Sequence, residues 1–167
     1  MIRYFYVEPE ILFVGINPHF GSFARGVPFS NNKSFWYLLS EAGVIEEKRA
    51  ALKDDVLLKR LYTKKFNRVY KLGFINIISR PTRGISELTR GEELPGRKKI
   101  STIIKLQKPK VVCFIGKIPY EKYSDSKEFS YGWQESIWGA KVFVMHSPLR
   151  GEAKVRIQEL RMVKAAI

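Results

Sequence analysis

An asparagine and a histidine are the residues of this chain best suited to handle a small polar ring, and they stand far apart in it. Asn17 lies in Gly15-Ile16-Asn17-Pro18-His19-Phe20-Gly21-Ser22, and Gly26-Val27-Pro28-Phe29 follows. Glycine permits close approach by a ligand, proline fixes the turn, and the asparagine amide offers both a donor and an acceptor. Asn-Pro is also a common turn signal, so a structural Asx turn is the competing reading. His146 lies in Met145-His146-Ser147-Pro148-Leu149-Arg150-Gly151. Its ring can donate to a carbonyl oxygen, and Leu149 and Arg150 can project as a wedge, whereas a lone histidine at a strand end is commonly structural. The chemistry depends on the two segments meeting.

The elements around them say how they would meet. Four short apolar runs, Ile11 to Gly15, Phe74 to Ile78, Val111 to Ile115 and Lys141 to Met145, read as strands covered on both faces. Helical spacing separates them. Phe35, Leu38, Leu39 and Ala42 precede Gly43, and Ile100, Ile103, Ile104 and Gln107 follow Pro95. Leu52, Val56, Leu57 and Leu61, then Phe66, Val69 and Tyr70, predict a long or broken helix ending at Gly73, and Ile157, Leu160 and Val163 predict a last one. Alternating strands and helices imply right-handed crossovers and a three-layer αβα fold around a mainly parallel, four-stranded sheet. In that class ligands sit outside the carboxyl ends of the strands. The rule nominates Ile16 to Phe29, Ser79 to Gly84, Gly116 to Tyr120 and His146 to Gly151.

Composition narrows the partners. A chain of 167 residues that is 45% hydrophobic can bury one proper core, which predicts a single domain over residues 1–167. Its 30 Lys and Arg against 16 Asp and Glu leave a formal charge of +14, a field that attracts polyanions. Fourteen basic residues and three acidic ones lie between Arg60 and Lys110, so a basic face is expected. A solvated surface explains such an excess as well, and charge does not identify a reaction. His19 and His146 are the only histidines and Cys113 the only cysteine, so neither a metal nor a cofactor is expected, and Cys113 reads as a buried structural thiol. No signal-peptide order opens the chain, and no apolar stretch approaches the roughly 20 residues that cross a bilayer. A cytoplasmic, nucleoid-associated monomer is expected, nuclear in a eukaryote.

Over most of its length the chain resembles the mismatch-specific uracil and thymine DNA glycosylases of the uracil-DNA glycosylase superfamily. The resemblance is carried by Leu12-Phe13-Val14-Gly15-Ile16-Asn17-Pro18, by Gly26-Val27-Pro28-Phe29 with Phe35-Trp36, and by Arg80-Pro81-Thr82 with Glu87-Leu88. Gly96-Arg97-Lys98-Lys99, Lys108-Pro109-Lys110-Val111, Gly116-Lys117 with Tyr120-Glu121, and Tyr131-Gly132-Trp133-Gln134 continue it in order. It implies that Asn17 positions the attacking water, that Phe29 stacks on a flipped base, and that Gly15, Ile16, His19, Phe20 and Ser22 line the base pocket. One segment departs from the mismatch-specific pattern. His146 with Ser147-Pro148-Leu149 looks like the histidine motif of other branches of the superfamily, in a loop about one residue short.

The activity so implied is excision of uracil, and of thymine if Gly21 and Ser22 leave room for a 5-methyl group, from mismatched double-stranded DNA. Breaking a pyrimidine glycosidic bond puts negative charge on the departing base, so donors at its oxygen, such as backbone amides near Ile16 and the His146 ring, carry most of the task. Asn17 can orient water but not take up its proton, which predicts slow turnover. Ser147, Pro148, Leu149 and Arg150 are expected at the vacated stack, and Arg80, Arg83, Arg97 and Lys98 at phosphates. Two rivals use the same residues differently: a non-catalytic nucleic-acid-binding module of this fold, and a free-nucleotide binder using the Gly15 to Gly26 loop, which lacks P-loop spacing.

Overall fold

Apolar runs become central strands only if helices cover them on both faces, and that is the arrangement found. The computed structural model describes residues 1–167. Five strands, β1 (Ile11–Gly15), β2 (Leu72–Asn76), β3 (Val111–Ile115), β4 (Gly132–Ile137) and β5 (Ala140–Met145), form one sheet in the order β2-β1-β3-β5-β4. The pairs β1 with β2, β1 with β3 and β3 with β5 are parallel, and β4 with β5 is antiparallel. Every residue of β1 and of the edge strand β2 is buried, as expected of strands covered on both faces.

Seven helices flank the sheet: α1 (Phe20–Arg25), α2 (Ser34–Glu41), α3 (Arg49–Lys53), α4 (Asp55–Leu61), α5 (Leu94–Gln107), α6 (Lys117–Ser124) and α7 (Ala153–Ala165). The core falls into two clusters, one on each face. Phe13, Phe35, Trp36, Leu58, Phe66, Phe74, Phe143 and Leu160 belong to one, and Leu12, Val14, Ile75, Ile100, Ile104, Val112, Phe114 and Val142 to the other. No helix is long and apolar enough to cross a membrane.

Three expectations from the sequence need correction. The sheet has five strands, not four. β4, with Gln134, Glu135 and Ser136, is a partly exposed edge strand whose polar residues hide it from a search for apolar runs. Its turn into β5 is made by Trp138 and Gly139, both at positive φ (49° and 83°), a two-residue hairpin without the usual Asn-Gly signal. β2 also begins and ends two residues before the predicted Phe74 to Ile78. Ile77 and Ile78 remain buried because their amides continue to bond Gly15 O and Ile16 O past the end of the ladder, at 2.9 and 2.8 Å. Finally, the segment from Leu52 to Tyr70 is α3, α4 and a π-helical turn, Tyr62–Phe66. In α4 Leu58 is buried and Val56 faces solvent; the wide turn then shifts the helical phase, so that Tyr62 and Phe66 are buried while Val69 faces solvent.

Trp36 links this core to the loop before α2. Its ring is fully buried, stacked on Phe66 with centroids 5.1 Å apart, and its indole N–H donates to Pro28 O at 2.9 Å. Replacing Trp36 with Phe deletes the donor and leaves that carbonyl unpaired, which costs about 1–3 kcal/mol. A urea denaturation midpoint equal to that of the parent protein would contradict this.

Candidate functional site

Because β1, β2, β3 and β5 run in the same direction, the loops that leave them open on one edge of the sheet. They enclose a cavity of about 560 Å³. All four nominated segments contribute to its wall: Ile16, Asn17, His19, Ser22 and Phe29 after β1, Arg83 and Gly84 after β2, Gly116 and Lys117 after β3, and Ser147 to Arg150 after β5.

The floor is built by an absence. A Cβ on Gly15 would lie 2.5 Å from Asn76 Oδ1 and closer still to the Phe29 ring, so only glycine lets both groups approach the end of β1. Phe29 has φ 58°, a left-handed conformation that costs an aromatic residue roughly 1–3 kcal/mol and persists only where neighbours impose it. Here they do. Trp36 holds Pro28 O on one side, while on the other Ser30 N donates to Ser22 Oγ at 3.0 Å and Ser30 Oγ donates to Val27 O at 2.7 Å. The Phe29 ring meets Phe35 edge to face at 5.1 Å.

Asn17 is oriented by the loop after β2. Its Nδ2 donates to Thr82 Oγ1 at 2.8 Å and to Arg80 O at 3.0 Å. Thr82 Oγ1 in turn donates to Gly84 O at 2.9 Å, and Thr82 N donates to Pro18 O at 3.1 Å. With both amide protons engaged, Oδ1 is left as an acceptor at the cavity wall. Pro18 O lies farther from Nδ2, at 3.4 Å, and no backbone N–H donates to Oδ1, so this is not an Asx turn.

Asn76 was missed from the sequence. It ends β2, is 5% exposed, and donates from Nδ2 to the Tyr4 hydroxyl at 2.9 Å, while its Oδ1 is buried at the cavity without a partner. The signal was present: one amide inside Phe74-Ile75-Asn76-Ile77-Ile78, in a strand that apolar side chains suit on both faces. Burial pushes the Tyr4 phenol up to about 12, which keeps it a neutral hydroxyl against the amide. An unpaired buried acceptor costs about 1–3 kcal/mol, and a ligand that supplies a donor recovers it.

The remaining expected residues fall into three groups. His19 lines the wall and caps α1, its Nδ1 accepting from Gly21 N at 3.2 Å, whereas Gly21 packs against Asn31 and does not reach the wall, leaving Ser22 alone of that small pair. Phe20 stands off the wall, 46% exposed, because the first turn of α1 carries it outward. His146 stands one residue behind the wall. Its backbone N–H and its Nδ1 meet the two carboxylate oxygens of Glu159, each at 2.9 Å, and its ring stacks on Tyr131. Leu149, 65% exposed, and Arg150 lie at the cavity mouth.

The cations at the cavity are Arg83, Lys117 and Arg150. Arg80 is half exposed and also bonded within the protein: Nε and Nη2 donate to Glu92 at 2.6 and 2.9 Å, and Nη2 donates to Glu87 O at 2.9 Å. Arg97 is likewise tied to Lys122 O. No three His, Cys, Asp or Glu side chains converge to hold a metal ion.

A family model described as the uracil DNA glycosylase superfamily matches residues 2–154.

The Arg80 to Glu92 bridge closes the loop that orients Asn17, and it titrates. The Arg80 guanidinium, then the Thr89 amide, hold the Glu92 carboxyl down at about 2 from its ordinary 4.5. A carboxyl so depressed adds stability above pH 4.5 that is lost as pH falls toward 2. Acid should therefore open residues 80–92 to amide hydrogen exchange ahead of the β1 and β3 amides, and Glu92→Gln should remove the pH dependence. An acid response in Glu92→Gln identical to that of the parent refutes the assignment.

Proposed function

We propose, from the fact that this chain belongs to the uracil DNA glycosylase superfamily, that it is a monofunctional glycosylase excising uracil from mismatched duplex DNA. Members of the superfamily are DNA glycosylases, which hydrolyse N-glycosyl bonds. What supports the finer reading is one observation: the partnerless Asn76 Oδ1 in a cavity that Phe29 also lines. Uracil carries an N3–H that this oxygen can accept, while cytosine has a bare lone pair at the same position and would face oxygen with nitrogen. Phe29 offers an aromatic face on which the ring stacks.

A base inside a duplex is out of reach of any such cavity, so it must be extruded, at a cost of a few kcal/mol that is smallest for a mismatched pair. Leu149, exposed at the mouth, is the apolar wedge for the vacated stack, and Arg150 beside it meets the backbone. The bond from C1′ to N1 then breaks, the electron pair leaves with the base, and water held by Asn17 Oδ1 adds to C1′ and releases a proton to solvent. An amide cannot accept that proton, so turnover is slow. Backbone amides near Ile16 and the His146 ring stabilise charge at the departing oxygen. The product is an abasic site on an intact strand. Thymine shares the N3–H and is separated from uracil only by room at its methyl group, near Ser22.

The test uses labelled duplexes bearing G·U, A·U or G·T and the unmodified G·C control, incubated with the purified protein in EDTA and then cleaved with alkali. Strand breaks are expected at uracil and none at cytosine, and chelation should leave them unchanged. Asn17→Ala should lower the single-turnover rate about 10²-fold or more while binding to an abasic duplex persists. An undiminished rate in that variant, or an absence of uracil excision in the parent protein, rejects the reading.

A further inference from the structure

Glu159 spends both its oxygens on one residue. It lies on α7, is 8% exposed, and accepts from the His146 backbone N–H through Oε1 at 2.9 Å, while Oε2 lies 2.9 Å from His146 Nδ1. The backbone N–H can only donate, so it selects oxygen rather than hydroxyl at Oε1, and a buried carboxylate needs a donor on its second oxygen as well. The ring nitrogen is the group placed to supply it. Turning the ring over would put a carbon where Nδ1 meets Oε2 and lose that bond, and Tyr131, stacked with centroids 3.5 Å apart and planes inclined by 20°, fixes the plane of the ring.

We infer that Glu159 is a positioning residue that holds the neutral His146 imidazole with its proton on Nδ1, so that Nε2 donates a hydrogen bond only when the ring is an imidazolium. The other groups around the pair leave this assignment intact. Burial, and secondly the charge of Glu159, push the Cys113 thiol up, so it is uncharged. Lys117 Nζ lies 4.6 Å from the Tyr131 centroid rather than on the imidazole. Arg156, one turn before Glu159, is taken up by Ser147 O at 2.8 Å and Glu152 O at 3.0 Å. The cationic form of His146 is thus held beside a fixed anion, one residue from the cavity, and a charge-assisted bond to a departing base oxygen is about twice as strong as a neutral one. Only this last consequence rests on the proposed excision. The tautomer does not.

The other histidine provides an internal reference. His19 Nδ1 accepts from Gly21 N, so neutral His19 carries its proton on Nε2. Long-range proton–nitrogen spectra of the protein labelled with ¹⁵N in its two histidines, at a pH where both rings are neutral, should show opposite tautomers. Glu159→Gln keeps an oxygen for the backbone N–H and turns an NH₂ toward Nδ1, so His146 should switch to the Nε2–H pattern while the His19 signals, which report intact folding, stay in place. On G·U duplex the same variant should lose about tenfold in single-turnover rate, with affinity for the duplex within about twofold, as expected for removing charge assistance. An Nε2–H pattern for His146 in the parent protein, or an Nδ1–H pattern retained in the variant, overturns the inference, and a variant that switches tautomer without losing rate overturns the charge assistance. A parent protein that shows the Nδ1–H pattern but excises nothing would refute the proposed function and uphold the positioning.

Discussion

Parallel pairing decides where this protein can do chemistry. β1, β2, β3 and β5 hydrogen-bond in one direction, so their carboxyl ends lie together and the four loops that leave them have no choice but to share an edge. Residues 17, 83, 117 and 149 become neighbours for that reason and no other. The antiparallel edge strand β4 adds no loop at that edge from its own carboxyl end. Instead it caps the sheet and brings Tyr131, just before it, against His146.

At the shared edge the polar groups are held by bonds that leave one atom over. Asn17 gives both amide protons to the loop after β2 and keeps an oxygen. Asn76 gives a proton to Tyr4 and keeps an oxygen with no partner at all. Each arrangement carries a cost: a buried acceptor unpaired, an aromatic residue at positive φ in Phe29, a strand end that tolerates no Cβ at Gly15. Costs of this kind gather where a ligand, rather than the fold, completes the bonding.

The loop after β5 is held from beneath by a single helix. Buried Arg156 and Glu159, three residues apart on α7, take opposite parts: the guanidinium grips Ser147 O and Glu152 O, and the carboxylate grips His146. Between those two anchors Leu149 and Arg150 extend to the cavity mouth. A short loop with both ends pinned keeps little conformational freedom to lose on binding.

The apolar runs, their alternation with helices, and the strand-end rule placed Asn17, Phe29, Arg83 and the residues from Ser147 to Arg150 in the segments that meet, because strand and helix periodicity is written in consecutive residues. The ordered motifs carried the superfamily, which the match over residues 2–154 establishes. What periodicity could not express is who bonds to whom across the chain. β4 was invisible because a polar edge strand lacks the apolar signal, and the phase after α4 was lost at a π-helical turn. That Arg80 belongs to Glu92, that Asn17 is turned by Thr82, that Glu159 holds His146, and that Asn76 keeps an unpaired oxygen are facts of distance between residues far apart in sequence. Local residue order sets which groups are available near an edge; only tertiary packing decides which of their atoms are already spent and which are left for a ligand.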